Sequence, residues 1–289
     1  MGPQGEIVVA FQGEMGAFSE AAARAYFHEA VAVVPYPSFS KLFEAVEGGC
    51  CTHGVVPIEN SLAGSIHENY DLLLKHNLQI VGELKLRVVH NLIVNHGVKL
   101  EEVRRIFSHP QALAQCSDFI KGLAGADAIV DYDTAGAVKR IKESGTRAAA
   151  AIASAQAALD YNLEILRPRI ENNHQNFTRF LVVAMETVKP EGPVKTSIVY
   201  ALKNEPGVLF RSLGAFEAGN INLLKIESRP LDGRPWEYVF YLDFSGDLED
   251  ESGVKTIQEL KEMAIFLKIL GSYTQGETVE GQVRQKEVP

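Results

Sequence analysis

Residues 6–27, EIVVAFQGEMGAFSEAAARAYF, carry the pattern that decides the fold class. The apolar run at residues 6–11 is typical of a buried strand, and Gly13 and Gly16 mark a sharp turn after it. The alanine-rich stretch from Phe18 to Phe27 favours a helix. A strand, a turn and a helix in this order are the building unit of α/β proteins.

The same alternation of short apolar strands and helices continues to about residue 160. We expect further strands at residues 31–36, 54–58, 78–81, 84–94, 103–107, 128–132 and 148–151, and helices at 38–46, 65–76, 110–122, 133–143 and 154–159. Two such runs, near 6–81 and 82–160, predict two α/β lobes with a largely parallel sheet and a hinge near residues 81 and 160.

The pattern changes after the linker-like segment 189–193, KPEGP. The elements expected there form the order βαββαβ, with strands at 195–202, 221–228, 237–244 and 269–273 and helices at 208–218 and 252–267. This is the ferredoxin-like order. The sequence therefore predicts a two-lobed α/β region at 1–187, a small ferredoxin-like domain at 195–275 and a flexible tail at 276–289.

The composition indicates in which cellular compartment the protein works and which classes of partner it disfavours. The chain has 289 residues, a formal net charge of −9 and three cysteines without a CxxC spacing. We expect a cytoplasmic protein without a signal peptide, because unpaired cysteines suit a reducing compartment. The negative charge argues against nucleic acid and anionic membranes as partners, since both reward clusters of Lys and Arg.

Four predicted helices begin at sharp turns rich in small or hydroxyl residues. In an open α/β sheet, helix N-termini lie where ligands bind, and their free N–H groups attract carboxylates. These turns therefore predict an anion site, although each residue can also serve only as a helix cap. The candidate residues on them are Ser19, Asn60, Ser61, Gly64, Ser108 and Thr134.

The amide-rich segment 172–180, NNHQNFTRF, leads into another predicted strand. Strand alternation places Thr178 and Phe180 on one face and Arg179 on the other. Arginine can hold a carboxylate with two hydrogen bonds while a nearby hydroxyl donates to a leaving group. The alternative is a surface turn with a solvated arginine.

Several common catalytic motifs are absent from the sequence. The eight histidines show no HExxH spacing, and there is no Walker loop and no GxSxG. Gly13 and Gly16 form GxxG instead of the GxGxxG of dinucleotide-binding proteins, which argues against a nicotinamide-dependent dehydrogenase.

Taken together, the motifs resemble those of prephenate dehydratase. They occur in the order of that family, and the resemblance covers about residues 6–275. The matching stretches are FQGEMGAFSE at 11–20, VPIENSLAGS at 56–65, SHPQALAQC at 108–116, NFTRF at 176–180, and EPGVL at 205–209 with KIESRP at 225–230 for the regulatory ACT domain.

The resemblance implies a catalytic region of two lobes like those of periplasmic binding proteins, followed by an ACT domain. It implies decarboxylating dehydration of prephenate to phenylpyruvate, without metal or organic cofactor, in phenylalanine biosynthesis. It also implies feedback control by phenylalanine in a homodimer or homotetramer joined through ACT domains. No fused chorismate mutase domain is expected before the first strand.

The resemblance also assigns roles to residues. It implies that the Thr178 hydroxyl assists departure of the substrate hydroxyl, with Asn60, Ser108 and Gln115 as further catalytic positions. Substrate binding would involve Ser19, Ser61, Gly64, Thr134, Arg179 and Phe180. Thr134 and Arg179 are the candidates for binding its carboxylates. Binding of phenylalanine would involve Gly207, Val208, Leu209, Asn222, Glu227 and Ser228.

Some positions depart from the common bacterial pattern. Gln12-Gly13 replaces Gly-Pro, Ala17 replaces Thr, and Val208 replaces the Ala of a Gly-Ala-Leu motif. The stretch 59–74, ENSLAGSIHENYDLLL, more closely resembles plant arogenate dehydratases, which form phenylalanine directly. Arogenate dehydration is therefore one alternative function, and a non-catalytic amino-acid-sensing protein is another.

Overall fold

The computed structural model describes residues 6–28, 31–231 and 234–281, and leaves out the side chains of 234–236. The chain divides into two compact units. The first contains the residues up to Ile66, Leu84–Phe180 and those from Thr278 onward. The second contains His67–Glu83 and Leu181–Glu277.

Strands and helices alternate through the first two thirds of the chain. The strands are β1 (Val8–Gln12), β2 (Ala32–Tyr36), β3 (His53–Asn60), β4 (Gly64–Ser65), β5 (Gln79–Arg87), β6 (Asn91–Val94), β7 (Arg105–Ser108), β8 (Asp127–Val130), β9 (Ala149–Ala153), β10 (Glu164–Arg167), β11 (Phe177–Ala184), β12 (Val194–Leu202), β13 (Leu223–Leu231), β14 (Arg234–Ser245), β15 (Ala264–Thr274) and β16 (Thr278–Glu280). The α-helices are α1 (Phe18–Phe27), α2 (Phe39–Glu47), α3 (His67–Lys75), α4 (Pro110–Gln115), α5 (Ser117–Lys121), α6 (Thr134–Ser144), α7 (Ala155–Asp160), α8 (Val208–Ala218) and α9 (Glu251–Met263).

The strands form three sheets. The first has the order β16-β5-β11-β3-β1-β2, with β4 paired to β3, and the second has the order β10-β6-β9-β7-β8. The third, referred to below as the C-terminal sheet, has the order β13-β14-β12-β15. These sheets confirm the α/β class, and the first two correspond to the expected lobes.

The first two sheets are mixed, where the sequence predicted a largely parallel sheet. β1 pairs in parallel with β2 and β3, and β7 pairs in parallel with β8 and β9. β6, however, runs antiparallel to both of its neighbours, β9 and β10. A helical crossover makes neighbouring strands parallel, but β6 follows directly from β5 without a helix, so no crossover sets its direction.

The second sheet is packed on both faces, which fits the small apolar residues of β9. Ala149, Ala151 and Ala153 join one buried cluster with Val138 of α6. The alternate residues of β9 join a second cluster on the other face. Near this sheet, the single helix predicted at 110–122 is divided into α4 and α5 at Cys116, whose ψ of 17° departs from helical geometry.

The C-terminal sheet is antiparallel, and its elements follow the predicted βαββαβ order. Phe216 of α8 and Leu260 of α9 pack with Ile198 and Leu242 on one face. Helix α3 lies on the opposite face, where its Tyr70 ring is 4.8 Å from the ring of Tyr241. The sequence pattern predicted α3 as part of the first lobe and not as a neighbour of this sheet.

Residues 278–280 form a strand inside the region predicted as a flexible tail. β16 pairs in parallel with β5 from Lys85 to Arg87, and Arg87 Nη1 lies 2.7 Å from Glu280 Oε1. Because β16 supplies hydrogen-bonding partners to the edge of β5, pairing is favoured even without an apolar pattern. The predicted tail continues over 282–289, which lie outside the described residues.

Within the described ranges, no helix is both long enough and apolar enough to span a bilayer. Cys50, Cys51 and Cys116 are free thiols, and burial raises the pKa of the Cys116 thiol to about 12.

Candidate active site

Asn60 and Thr178 meet in the first unit at the end of β3 and the start of β11. Asn60 Nδ2 donates to Thr178 Oγ1 at 3.0 Å, and both side chains are buried. Asn60 is fixed in turn because its Oδ1 accepts the backbone N–H groups of Leu62 and Ala63 at 3.1 and 3.0 Å. The Thr178 hydroxyl therefore accepts one hydrogen bond and keeps its own hydrogen available to donate.

Gln115, the last residue of α4, connects to the same pair. Its Nε2 donates to Asn60 Oδ1 at 3.3 Å, and its Oε1 accepts from Asn176 Nδ2 at 3.0 Å. Asn176 Oδ1 also accepts from Asn60 Nδ2 at 2.8 Å, which closes a ring of three amides. The structure thus brings three predicted catalytic residues, Asn60, Gln115 and Thr178, into one network and adds Asn176 to it.

His90 also belongs to this network, although it was not among the site residues predicted from the sequence. Its Nε2 lies 2.9 Å from Gln115 Oε1, and its ring makes an edge contact with Phe18 at 5.6 Å between centroids. Burial lowers the pKa of His90, so the ring is neutral near pH 7. Since Gln115 Oε1 is an acceptor, a neutral His90 donates from Nε2 and fixes the orientation of the Gln115 amide. A single histidine in the sequence VVHN carries no motif that could have identified it.

We expect the His90→Leu variant to lose about tenfold or more in kcat, because an unfixed Gln115 amide can turn away from Asn60 and Asn176 and loosen the ring of amides around Thr178. The His90→Gln variant should stay within about threefold of the wild type, since its Nε2 can replace the lost donor. Steady-state kinetics on both variants measures the difference. Equal kcat values for the two variants would show that the donor has no such role.

Ser61 joins the two strands of the site through its backbone and side chain. Its Oγ donates to Gln175 O and accepts from Phe177 N, both at 2.9 Å. Its backbone N–H also donates to Phe177 O at 2.8 Å. These bonds fix β11 beside the Asn60 loop, so Ser61 has a clear structural role in addition to the predicted substrate contact.

The side-chain hydrogen bond of Ser108 goes to the backbone and not to the amide network. Its side chain is fully buried at the end of β7, and its Oγ donates to Ile152 O at 2.6 Å. This bond holds β7 against β9. A catalytic role for Ser108 stays a prediction.

The loop after β1 contacts the start of α6, which brings two of the four predicted turns together. Glu14 N donates to Asp133 Oδ2 at 2.9 Å, and Thr134 Oγ1 lies 3.4 Å from Asp133 Oδ1. Burial raises the pKa of the Asp133 carboxyl, although backbone N–H groups oppose this shift. Ser19 is buried in α1. Substrate binding by Ser19 and Thr134 stays a prediction.

The other predicted substrate contacts have different surroundings. Gly64 is exposed and has φ of +81°, a conformation that glycine adopts without strain. Phe180 is almost fully buried and shares a strand face with Thr178. Arg179 is partly buried on the alternate face, so the strand does not present it beside the Thr178 hydroxyl.

The predicted effector residues all lie in the second unit. Gly207 precedes α8 with φ of +75°, while Val208 and Leu209 pack against the core of the C-terminal sheet. Glu227 Oε1 lies 3.2 Å from His67 Nε2. Asn222 and Ser228 are exposed. Effector binding by these residues is a prediction.

No group of three or more His, Cys, Asp or Glu side chains among the described residues is arranged to hold a metal ion. The candidate active site is instead a network of neutral amides with one hydroxyl and one neutral imidazole. Such a network can orient a substrate and donate hydrogen bonds.

The sequence also matches proteins of a known family. The sequence profile described as prephenate dehydratase matches residues 9–188. Arogenate dehydratase/prephenate dehydratase 2, chloroplastic, of Arabidopsis thaliana is 48% identical over 276 residues, which cover 92% of this chain and 72% of that protein.

Two solved structures have a similar fold over almost the whole chain. A prephenate dehydratase from Arthrobacter aurescens in complex with L-Phe has a TM-score of 0.86 and 28% identity, covering 98% of this chain and 92% of its own. GqqA, described as a novel type of quorum-quenching acylase, has a TM-score of 0.84 and 34% identity, covering 92% of this chain and 97% of its own.

Proposed function

Because this chain belongs to the prephenate dehydratase family, we propose that it converts prephenate to phenylpyruvate, water and carbon dioxide, as a step of phenylalanine biosynthesis. The observation that carries this proposal is the buried Thr178 hydroxyl, which accepts from Asn60 Nδ2 at 3.0 Å. A hydroxyl held in this way can donate to an oxygen that leaves the substrate.

The reaction makes two demands on the protein. Electrons of the bond to the ring carboxylate flow into the ring as carbon dioxide leaves, and the ring becomes aromatic as its hydroxyl departs. The departing hydroxide takes up one proton and leaves as water. The site must therefore stabilise negative charge on that oxygen and hold the carboxylate bond aligned with the ring.

Thr178 meets the first demand by hydrogen-bond donation. Asn60 Nδ2 donates to the Thr178 oxygen, so the O–H hydrogen is left to donate to another acceptor. A threonine hydroxyl is a weak acid, so we favour a strong hydrogen bond from Thr178 to the departing oxygen, which takes its proton from solvent, over full proton transfer from Thr178. Gln115 and His90 act through Asn60 and are positioning residues in this scheme.

Arogenate is a second candidate substrate. The Arabidopsis relative is named for both activities, and arogenate carries an amino group where prephenate has a ketone. The same Thr178 chemistry would release phenylalanine directly. We propose dehydratase activity on at least one of the two substrates, with prephenate as the first choice.

A direct assay tests this proposal. Purified protein is incubated separately with prephenate and with arogenate, with phenylpyruvate followed by ultraviolet absorbance and phenylalanine by chromatography. Turnover of prephenate supports the first choice, and turnover of arogenate alone supports the second. No product from either, at any protein concentration, would favour a non-catalytic binding protein.

Acyl hydrolysis, suggested by the description of GqqA, is less well supported by this site. A nucleophilic hydroxyl needs a base that accepts its proton. The recorded partner of Thr178 Oγ1 is an amide that donates to it, which suits a hydrogen-bond donor instead.

We propose residues 1–187 as the catalytic region and 195–275 as an ACT domain that binds phenylalanine as a feedback effector in a homodimer or homotetramer. The C-terminal sheet and the segment KIESRP at 225–230 support this assignment. Titrating phenylalanine against activity and oligomer size tests it. A cytoplasmic location stays a prediction, and the Arabidopsis relative is named as chloroplastic.

A further inference from the structure

Helix α3 is held by side chains from three strands of the C-terminal sheet. From β14, Tyr241 Oη donates to Tyr70 O at 2.9 Å, in addition to the contact between their rings. β13 and β15 contribute the charged groups described next. All of these contacts lie within the second unit.

Lys268 of β15 binds the C-terminal end of α3. Its Nζ lies 2.8 Å from Leu73 O, 3.1 Å from Leu74 O and 2.6 Å from His76 O. The last carbonyls of a helix lack partners inside the helix, and the negative end of its dipole favours a cation. One partly buried ammonium group therefore anchors the whole last turn.

The other anchors come from β13, the strand that carries the predicted effector segment 225–230. Arg229 Nη2 lies 2.7 Å from Asp71 Oδ2, and its Nε lies 3.4 Å from Asp71 Oδ1. Two residues earlier on the same face of β13, Glu227 Oε1 lies 3.2 Å from His67 Nε2. The effector segment thus contacts the first turns of α3.

Helix α3 is joined by the chain to the loop that carries Asn60. The loop runs through β4 to Ile66, whose N–H donates to Ile58 O, and α3 begins at the next residue. The N–H groups of Leu62 and Ala63 in that loop hold Asn60 Oδ1. Only a few residues of backbone therefore separate α3 from the amide bonded to Thr178, and this short connection is the path along which a change in α3 can reach it.

We propose that α3 is the element that transmits effector binding to the active site. The contacts that link it to the effector domain are the Arg229–Asp71 ion pair and the hydrogen bonds from Lys268 to the end of α3. The proposal rests on the proposed dehydratase function and its phenylalanine effector. An effector beside β13 that favours one arrangement of Arg229 and Glu227 shifts α3 between two states. Coupling of this kind requires only that the effector has different affinities for those states.

The Asp71→Asn variant tests the β13 contact. Its turnover without phenylalanine should remain within about twofold of the wild type, because Asp71 is a half-exposed surface residue outside the site. Phenylalanine should still bind in calorimetry, but the concentration that halves activity should rise about tenfold or more. The matched control is Glu68→Gln, which removes a negative charge from the exposed first turn of the same helix and should leave inhibition unchanged.

A second variant, Lys268→Met, tests the coupling away from β13. It keeps an unbranched side chain, one atom shorter, and removes the charge that binds the end of α3. We expect inhibition to weaken by about fivefold or more while phenylalanine affinity is retained. Hydrogen exchange of the α3 amides should respond to phenylalanine in the wild type and respond less in both variants.

Two results would overturn the proposal. One is inhibition of both variants at the wild-type concentration of phenylalanine, and the other is loss of phenylalanine binding in Asp71→Asn, which would place Asp71 in the effector site itself. Hydrogen exchange tests the proposal about α3 independently of the proposed dehydratase activity, because it needs no turnover. A wild-type protein that turns over neither substrate still reports whether phenylalanine changes the protection of α3.

Discussion

Replacing Thr178 with valine should lower kcat by about 10²–10⁴-fold, the usual contribution of a proton or hydrogen-bond donor at a leaving group. Valine keeps the shape of threonine and replaces the hydroxyl with a methyl group. Asn60 Nδ2 retains Asn176 Oδ1 and Phe177 O as acceptors at 2.8 and 3.2 Å, so no buried donor loses all its partners. The expected loss therefore lies in the chemical step, with little change in KM or in the melting temperature.

The Thr178→Ser variant is the matched control, because it restores the hydroxyl and removes only a methyl group. Its kcat should lie within about tenfold of the wild type, since the regained donor is the group that matters. Steady-state kinetics and thermal unfolding of both variants provide the test. A valine variant with kcat close to that of the wild type would contradict the role given to Thr178.

Residue types and motifs predicted the centre of the candidate site. Asn60, Gln115 and Thr178 are far apart in the sequence, and the structure joins them through hydrogen bonds. The resemblance supplied these positions, while the alternation of strands and helices supplied the elements that carry them. The sequence did not indicate the hydrogen bonds between them, which also include Asn176 and depend on tertiary contacts.

His90 shows why the rest of the site was missed. Its importance comes from burial and from one contact with Gln115, 25 positions away in the chain. Neither property leaves a periodic or local signal. Ser108 shows the opposite case, because its motif suggested chemistry while its recorded hydrogen bond goes to the backbone of β9.

The position of α3 was also not predictable from its pattern. Amphipathic spacing indicates that a helix buries one face, but it does not identify the sheet that covers this face. The sequence order placed α3 with its neighbours β4 and β5, whereas its side chains pack against the C-terminal sheet. In the sequence, Lys268 has no feature that distinguishes it from a solvated lysine.

Replacing Lys195 with methionine should lower the free energy of unfolding by about 3–5 kcal/mol, the usual loss when one partner of a buried ion pair is removed. Lys195 Nζ lies 2.6 Å from Glu83 Oε1, and the two side chains are 5% and 0% exposed. The variant leaves the Glu83 carboxylate buried beside the N–H of Gly276, without its ammonium partner. We expect the melting temperature to fall by about 6–20 °C.

An exposed pair provides the matched control for this loss. Lys41 Nζ also lies 2.6 Å from its partner, Glu44 Oε2, but these side chains are 61% and 47% exposed. Lys41→Met should change stability by less than about 1 kcal/mol, because water screens the pair and solvates the remaining carboxylate. Equal losses in the two variants would mean that burial of the Glu83 carboxylate has no particular cost.

The double variant Glu83→Met with Lys195→Met separates the cost of removing the ammonium group from the value of the ion pair. Removing both charges should recover most of the stability lost in Lys195→Met, since two apolar side chains can replace a buried ion pair at little cost. The coupling energy from the cycle should then be at least as large as the stability that the second substitution restores. A double variant as unstable as the sum of the two single variants would instead show that each side chain stabilises the second unit through contacts other than its partner.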